Sequence, residues 1–147
     1  MSTISNIRLS EAGSRIEPAD SYSAHFATRW LQPDTAVITA HGEIDAANSE
    51  EFIDYALRHA AHIRRLVLDL SGVEFFGTAG FSALHTLNVR CADETIDWAS
   101  VPSSAVSLLL RLCDPDSTLP MYGGVDEALA AVKGEPAPLL QLVSKPR

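Results

Sequence analysis

Leu66-Val67-Leu68-Asp69-Leu70-Ser71-Gly72-Val73-Glu74-Phe75-Phe76-Gly77-Thr78-Ala79-Gly80-Phe81 decides the fold. Its first part, from Arg65 to Leu70, is almost continuously apolar. A run of that length without alternation reads as a central strand buried on both faces, the situation of a parallel sheet. Ser71-Gly72 is read as the end of that strand. Val73, Phe75 and Phe76 then lead into Gly77-Thr78-Ala79-Gly80. Beyond it a helix over 79–91 carries Phe81, Leu84 and Leu87 on one stripe.

Downstream, Thr95 to Ser100 reads as the next strand. Pro102 suits a first helical turn, Ser103-Ser104 suits a cap, and the helix runs to Cys113 before Asp114-Pro115-Asp116 stops it. Leu119 to Tyr122 is a short final strand, placed at an edge by Pro120. Val125 to Val132 is a last helix with Val125, Leu129 and Val132 inward. Upstream, residues 22–42 read as a hairpin turning at Gln32-Pro33-Asp34-Thr35. Asn48 stands three residues before Glu51, the spacing of a capping box, and opens a helix over 48–62. Residues 1–20 read as an arm with a short strand at Ile7–Leu9, residues 21–133 as one domain, and residues 134–147 as a tail. Right-handed crossovers running in one direction put the helices on one face. The expected fold is α/β: a two-layer domain with a mixed sheet and helices packed mainly on one face.

The 147 residues suit a single domain able to bury its own core. Eleven Lys+Arg against nineteen Asp+Glu give a net charge of −8, which argues against gripping nucleic acid or an anionic membrane. No apolar stretch approaches the ~20 residues of a membrane span, and the first twenty residues lack a signal-peptide core. A cytoplasmic protein is expected. Two cysteines make no disulfide scaffold.

Enzyme constellations are sparse in the chain. Gly72-x4-Gly77-Thr78 is half a P-loop without its Lys. His59 and His62 sit three apart but lack a third metal ligand, and His85 reads as packing or surface. Asp69 reads as a structural carboxylate bonded to backbone amides, and there is no G-x-S-x-G elbow. No cofactor, no metal and no enzymatic activity are expected.

The stretch from Leu66 to Phe81 resembles the signature of STAS domains, the family named for sulfate transporters and anti-sigma factor antagonists. Gly42-Glu43-Ile44-Asp45 resembles the family's Gly-Glu-Leu/Ile-Asp after the second strand, and the ending at 119–132 resembles its last strand and helix. The resemblance covers about residues 20–133. It implies a protein-binding regulator that captures an anti-sigma factor, often a histidine-kinase-like ATPase, so that a sigma factor is released. The alternative it allows is a scaffold or accessory subunit of a transport or sensory complex.

The resemblance also implies a partner surface at Asp45, Gly77, Thr78, Ala79 and Gly80. In the family, phosphorylation at this turn breaks the capture. A phosphate brings about −1.5 to −2 charges to a helix N-terminus, in the middle of an interface. Here the chain departs from the pattern. The family's Asp position is Gly77, its first hydroxyl position is Thr78, and its acceptor position is Ala79, which has no hydroxyl. Thr78 reads first as a helix cap, and it is the candidate acceptor.

Cys91 and Cys113 fall at the ends of consecutive helices, so parallel packing makes them a candidate redox pair. Leu108, Leu109, Leu110 and Leu112 cannot all face one sheet. An exposed remainder suits partner docking or self-association as a homodimer, or a cover formed by Leu139, Leu140, Leu142 and Val143.

Overall fold

The computed structural model describes residues 24–134. The arm with its Ile7–Leu9 strand and the leucines of the tail lie outside the described residues. Strands β1 (Ala24–Gln32) and β2 (Thr35–Ile44) form the expected hairpin, turning at Pro33-Asp34. They pair antiparallel with Phe26 opposite Ala40. The Asp34 carbonyl accepts from the amides of Arg64 and Arg65, which ties the hairpin tip to the start of β3 (Arg65–Phe76). β4 (Asp97–Val101) completes a sheet of order β1-β2-β3-β4, with β2/β3 and β3/β4 parallel.

β3 does not stop at Ser71-Gly72; it continues to Phe76. Pairing with β2 steps from Thr39↔Asp69 to His41↔Gly72, so β3 carries one extra residue there. A second extra residue lies between Gly42↔Val73 and Glu43↔Phe75. These are bulges, which bend a strand without ending it. At the first, a Cβ on Gly72 would run into the exposed His41 ring, so a larger residue there must displace that side chain.

Leu66, Leu68 and Leu70 face one side of β3 and Val67 the other, and all are fully buried. Both faces therefore need cover. On the first face lie α1 (Ser49–Leu57), α2 (Thr78–Asp93) and α3 (Ser104–Cys113), whose Phe52, Leu84, Leu87 and Val106 share the larger core with Leu66, Leu68 and Leu70. Phe52 stacks on Phe26 at 5.9 Å. Full burial of each such side chain contributes about 1.5–3 kcal/mol. On the second face α4 (Val125–Val132) sets Ala128 and Val132 against Val37, Val67, Ala99 and Val101, with Val125 and Leu129 half-buried beside them. The helices are thus mainly, not wholly, on one face.

Local chemistry sets the ends. α1 is shorter than the expected 48–62, ending at Leu57. The capping box is not formed; the buried Asn48 side chain turns back instead, accepting from Asp45 N (3.0 Å) and donating to the Glu43 carbonyl (2.9 Å). In α3, Ser103 is the cap and accepts from Val106 N at 3.1 Å, so Pro102 lies before the cap rather than in the first turn. The buried Asp114 closes α3. Its Oδ1 accepts from Thr118 N (2.9 Å) and Thr118 Oγ1 (2.6 Å), and its Oδ2 from Leu119 N (3.1 Å). Burial works against its charge, but these hydrogen bonds, with His85 nearby, outweigh it and hold the carboxyl below its usual range. The expected strand at 119–122 contracts to a parallel bridge between Met121 and Ser100. Ser100 N donates to the Pro120 carbonyl and Tyr122 N to the Ser100 carbonyl, both at 2.8 Å. Of the α3 leucines, Leu110 is buried and Leu109 half-buried, while Leu108 and Leu112 are 58% and 77% exposed.

Candidate functional site

The parallel pairing of β2 and β3 places their C-terminal ends together, with Ile44 opposite Phe76. The next residues, Asp45 and Gly77, therefore leave the sheet side by side. Gly77 N donates to the Ile44 carbonyl at 3.0 Å. A Cβ built on Gly77 would lie 3.9 Å from Asp45 Cα. Two candidate elements some thirty residues apart in sequence thus form one surface. Sheet ends of this kind are a common location for binding sites in parallel α/β folds.

Asp45 is held by its own turn. Its Oδ1 accepts from Ala47 N at 2.9 Å, and its carbonyl accepts from Asn48 N at 3.2 Å. Ala46 and Ala47 are exposed beside it. On the other side Gly77 is the N-cap of α2, in ordinary extended conformation, and no side chain caps the helix. Its carbonyl accepts from Gly80 N (2.9 Å) and Phe81 N (3.3 Å). Thr78 is the first helical residue and is exposed. It does not cap the helix, contrary to one of its two sequence readings, because the cap position falls one residue earlier.

Gly77 and Gly80 differ in their surroundings. A Cβ on Gly77 meets nothing nearer than Phe75 Cε2 at 3.5 Å, an ordinary contact. A Cβ on Gly80 would sit 2.6 Å from Phe76 Cε1, inside the buried ring. Gly80 is thus a packing residue that lets the first turn of α2 settle on Phe76. Phe75, which the sequence reading did not assign to the surface, is 50% exposed and borders Gly77. The available signal was the Phe75-Phe76 pair itself, since adjacent residues on a strand face opposite ways. The surface combines an outward aromatic ring, small side chains, an acidic turn and an outward hydroxyl.

The other candidates lie elsewhere. His59 and His62 fall in the turns after α1 rather than on a helix. His59 meets the Trp30 ring edge-on at 5.4 Å and accepts from Arg58 Nε at 3.3 Å. His85 stacks on Phe81 at 6.4 Å. Asp69 accepts from Ser71 N (3.1 Å) and Ser71 Oγ (2.6 Å), the structural use expected of it. Among the described residues no three His, Cys, Asp or Glu side chains are grouped to hold a metal. Both thiols are free: Cys113 is half-buried, and Cys91 is fully buried, its pKa pushed up to about 11 by burial despite Arg90 nearby.

The STAS domain family matches residues 31–128, two-thirds of the sequence. The chain belongs to the STAS family. The match includes both Asp45 and the Gly77–Gly80 turn. Osmosensory protein A of Mycobacterium tuberculosis is 37% identical over 113 residues, 74% of this chain and 66% of that protein. This STAS chain therefore spans just under two-thirds of that relative's length. Anti-sigma-F factor antagonist RsfA of the same species is 30% identical over 125 residues, 82% of this chain and 96% of RsfA. Among solved structures, an anti-sigma factor antagonist from Mycobacterium paratuberculosis superposes with a TM-score of 0.67 at 28% identity, covering 80% of this chain and 97% of that one. The expected mixed-sheet STAS architecture is the observed one. No described helix is long and apolar enough to cross a membrane.

Proposed function

We propose that this STAS domain is a non-enzymatic, cytoplasmic binding module that captures an anti-sigma factor, in the manner of an anti-sigma factor antagonist. The capture face is the sheet end formed by Asp45 and Gly77, Thr78, Ala79 and Gly80, extended by Phe75. The observation that carries this reading is the outward presentation of that face, with Thr78 exposed and Phe75 half exposed where two STAS motifs meet. A turn sealed inside the core would have removed it. The names of the relatives at 30% and 28% identity support the choice of partner. The partner is a histidine-kinase-like ATPase. Ala79 has no hydroxyl, so control by phosphate at this turn falls to Thr78 alone. Negative charge there enters the centre of the contact and disfavours capture.

A second reading, a subunit of a sensory complex, is favoured by the 37% identity to a protein named for osmosensing. The two are separated by titrating the purified anti-sigma factors of the source organism into the wild type and into Thr78→Glu by calorimetry. Capture by the wild type, weakened at least tenfold in Thr78→Glu with an unchanged melting curve, is the expected result. An absence of binding to every anti-sigma factor, or equal affinity in the variant, overturns the proposal.

A further inference from the structure

At the end of the sheet opposite the capture face, the hairpin tip meets the turns that join α1 to β3. The ten residues of β2 separate the two ends by about 30 Å. Trp30, Leu31, Gln32 and Pro33 on one side and His59 and His62 on the other line an open cleft of about 440 Å³. Trp30 and Leu31 are 44% and 40% exposed, an apolar pair that the core does not use. The indole is held in place by His59, which meets it edge-on at 5.4 Å. A positioned, solvent-facing tryptophan is the side chain that most often dominates the energy of an interface.

The rim of the cleft is cationic. Arg58 lies over the Tyr55 ring, 4.3 Å from its centroid, and donates to His59 Nε2. Arg64 is exposed, and its amide donates to the Asp34 carbonyl at the hairpin tip at 2.8 Å. Among the described residues the one ion pair is Arg65 with Asp34 at 3.5 Å. Asp34, the acid of the tip, also accepts from Thr35 Oγ1 at 3.0 Å. Arg58, His62 and Arg64 thus have no described carboxylate within ion-pair distance, although the chain carries a net charge of −8. Unneutralised cations beside an exposed indole complement a segment in which carboxylates accompany apolar side chains. A nucleic-acid strand has the same sign of charge, but it must run on past the cleft over an acidic molecule. A short acidic peptide need not. We infer that this cleft docks a short acidic segment of a partner protein. The segment's apolar side chains lie against Trp30 and Leu31, and its carboxylates meet Arg58, His62 and Arg64. The inference does not depend on what the capture face binds.

The test selects a displayed library of random peptides against the full chain at low ionic strength. Enrichment of peptides that combine Asp or Glu with aromatic or aliphatic residues is expected. A synthetic copy of the leading peptide should move the Trp30 emission to shorter wavelength, while Trp98, 8% exposed, gives a constant background. Its affinity should fall at least tenfold in Trp30→Ala. It should fall as far when His62→Glu and Arg64→Glu are combined, with an unchanged circular dichroism spectrum. His62 and Arg64 are exposed and their side chains make no described hydrogen bond or ion pair, so this second variant stands even if Trp30→Ala misfolds. No enrichment, enrichment of neutral or basic peptides, or equal affinity in the variants overturns the inference. Tighter binding of oligothymidylate than of the peptide assigns the cleft to nucleic acid and overturns it too. Without peptide, acrylamide should quench Trp30 readily. Protection at every protein concentration means a cover from within the chain, and protection only at high concentration means a second copy; either result overturns the inference.

Discussion

Replacing Gly80 by alanine tests whether the candidate face rests on the packing described. The added Cβ would lie 2.6, 2.7 and 2.8 Å from Cε1, Cζ and Cδ1 of Phe76. Carbon atoms settle at about 3.5–4.0 Å, so a displacement on the order of 1 Å is needed. Phe76 is only 5% exposed, so its ring has no free direction in which to swing. The first turn of α2 must lift instead. Overpacking of this kind costs about 1–3 kcal/mol. The better helix propensity of alanine returns at most about 1 kcal/mol. The net expectation is a loss of about 1–2 kcal/mol, a fall in melting temperature on the order of 5 °C. Gly77→Asp is the control in the same turn. Its Cβ meets ordinary contacts and its backbone is already extended, as a cap requires. It should stay within about 0.5 kcal/mol of wild type, since aspartate caps at least as well as glycine. Urea unfolding followed by circular dichroism measures both. A Gly80→Ala protein within 0.5 kcal/mol of wild type refutes the packing reasoning.

Asp114→Asn leaves Leu119 N facing an amide donor and should cost about 1–3 kcal/mol at pH 7 by urea unfolding. The Asp114 pKa is lowered in the fold, so its stabilisation is present above the unfolded value of about 3.9 and is lost as pH falls below it; the asparagine variant should show a flatter acid limb. With its pKa near 11, Cys91 is protonated at neutral pH, so a native thiol titration at pH 7.5 should find Cys113 alone reacting and Cys91 only after unfolding. Two fast thiols would favour the redox pairing of Cys91 with Cys113. Ser103→Ala removes the acceptor for Val106 N and should lower stability by about 1 kcal/mol, with alanine at Ser104 as a neutral comparison.

Much of this architecture is legible in the sequence because its signals are local and mutually consistent. The hairpin turn at Pro33-Asp34, the apolar run at 66–70 and the Ser103 cap each state their structure without reference to the rest. The errors have a common origin in tertiary context. Ser71-Gly72 carries the same local signal whether a strand ends or bulges, and only the neighbouring His41 decides between them. Asn48 at capping-box spacing had a competing task, bridging Glu43 and Asp45, which spacing along a helix does not reveal. The position of α4 on the second face follows from Val67 and Val37 needing cover, a demand of the assembled sheet. Asp45 and Gly77 were each legible as motif members. Their adjacency needed the register of β2 against β3, whereas the outward side of Phe75 follows from plain alternation because the two extra residues in β3 cancel.

Those two insertions act as a phase setting for the strand. Leu66, Leu68 and Leu70 point to the three-helix side, and without interruption every even residue after them would follow. The first insertion hands that side to Val73; the second returns it to Phe76 and leaves Phe75 outward. Removing either residue would invert what the strand's far end displays while leaving its near end seated. The chemistry displayed at that end can thus be exchanged by length changes inside one strand, without redesigning the core beneath.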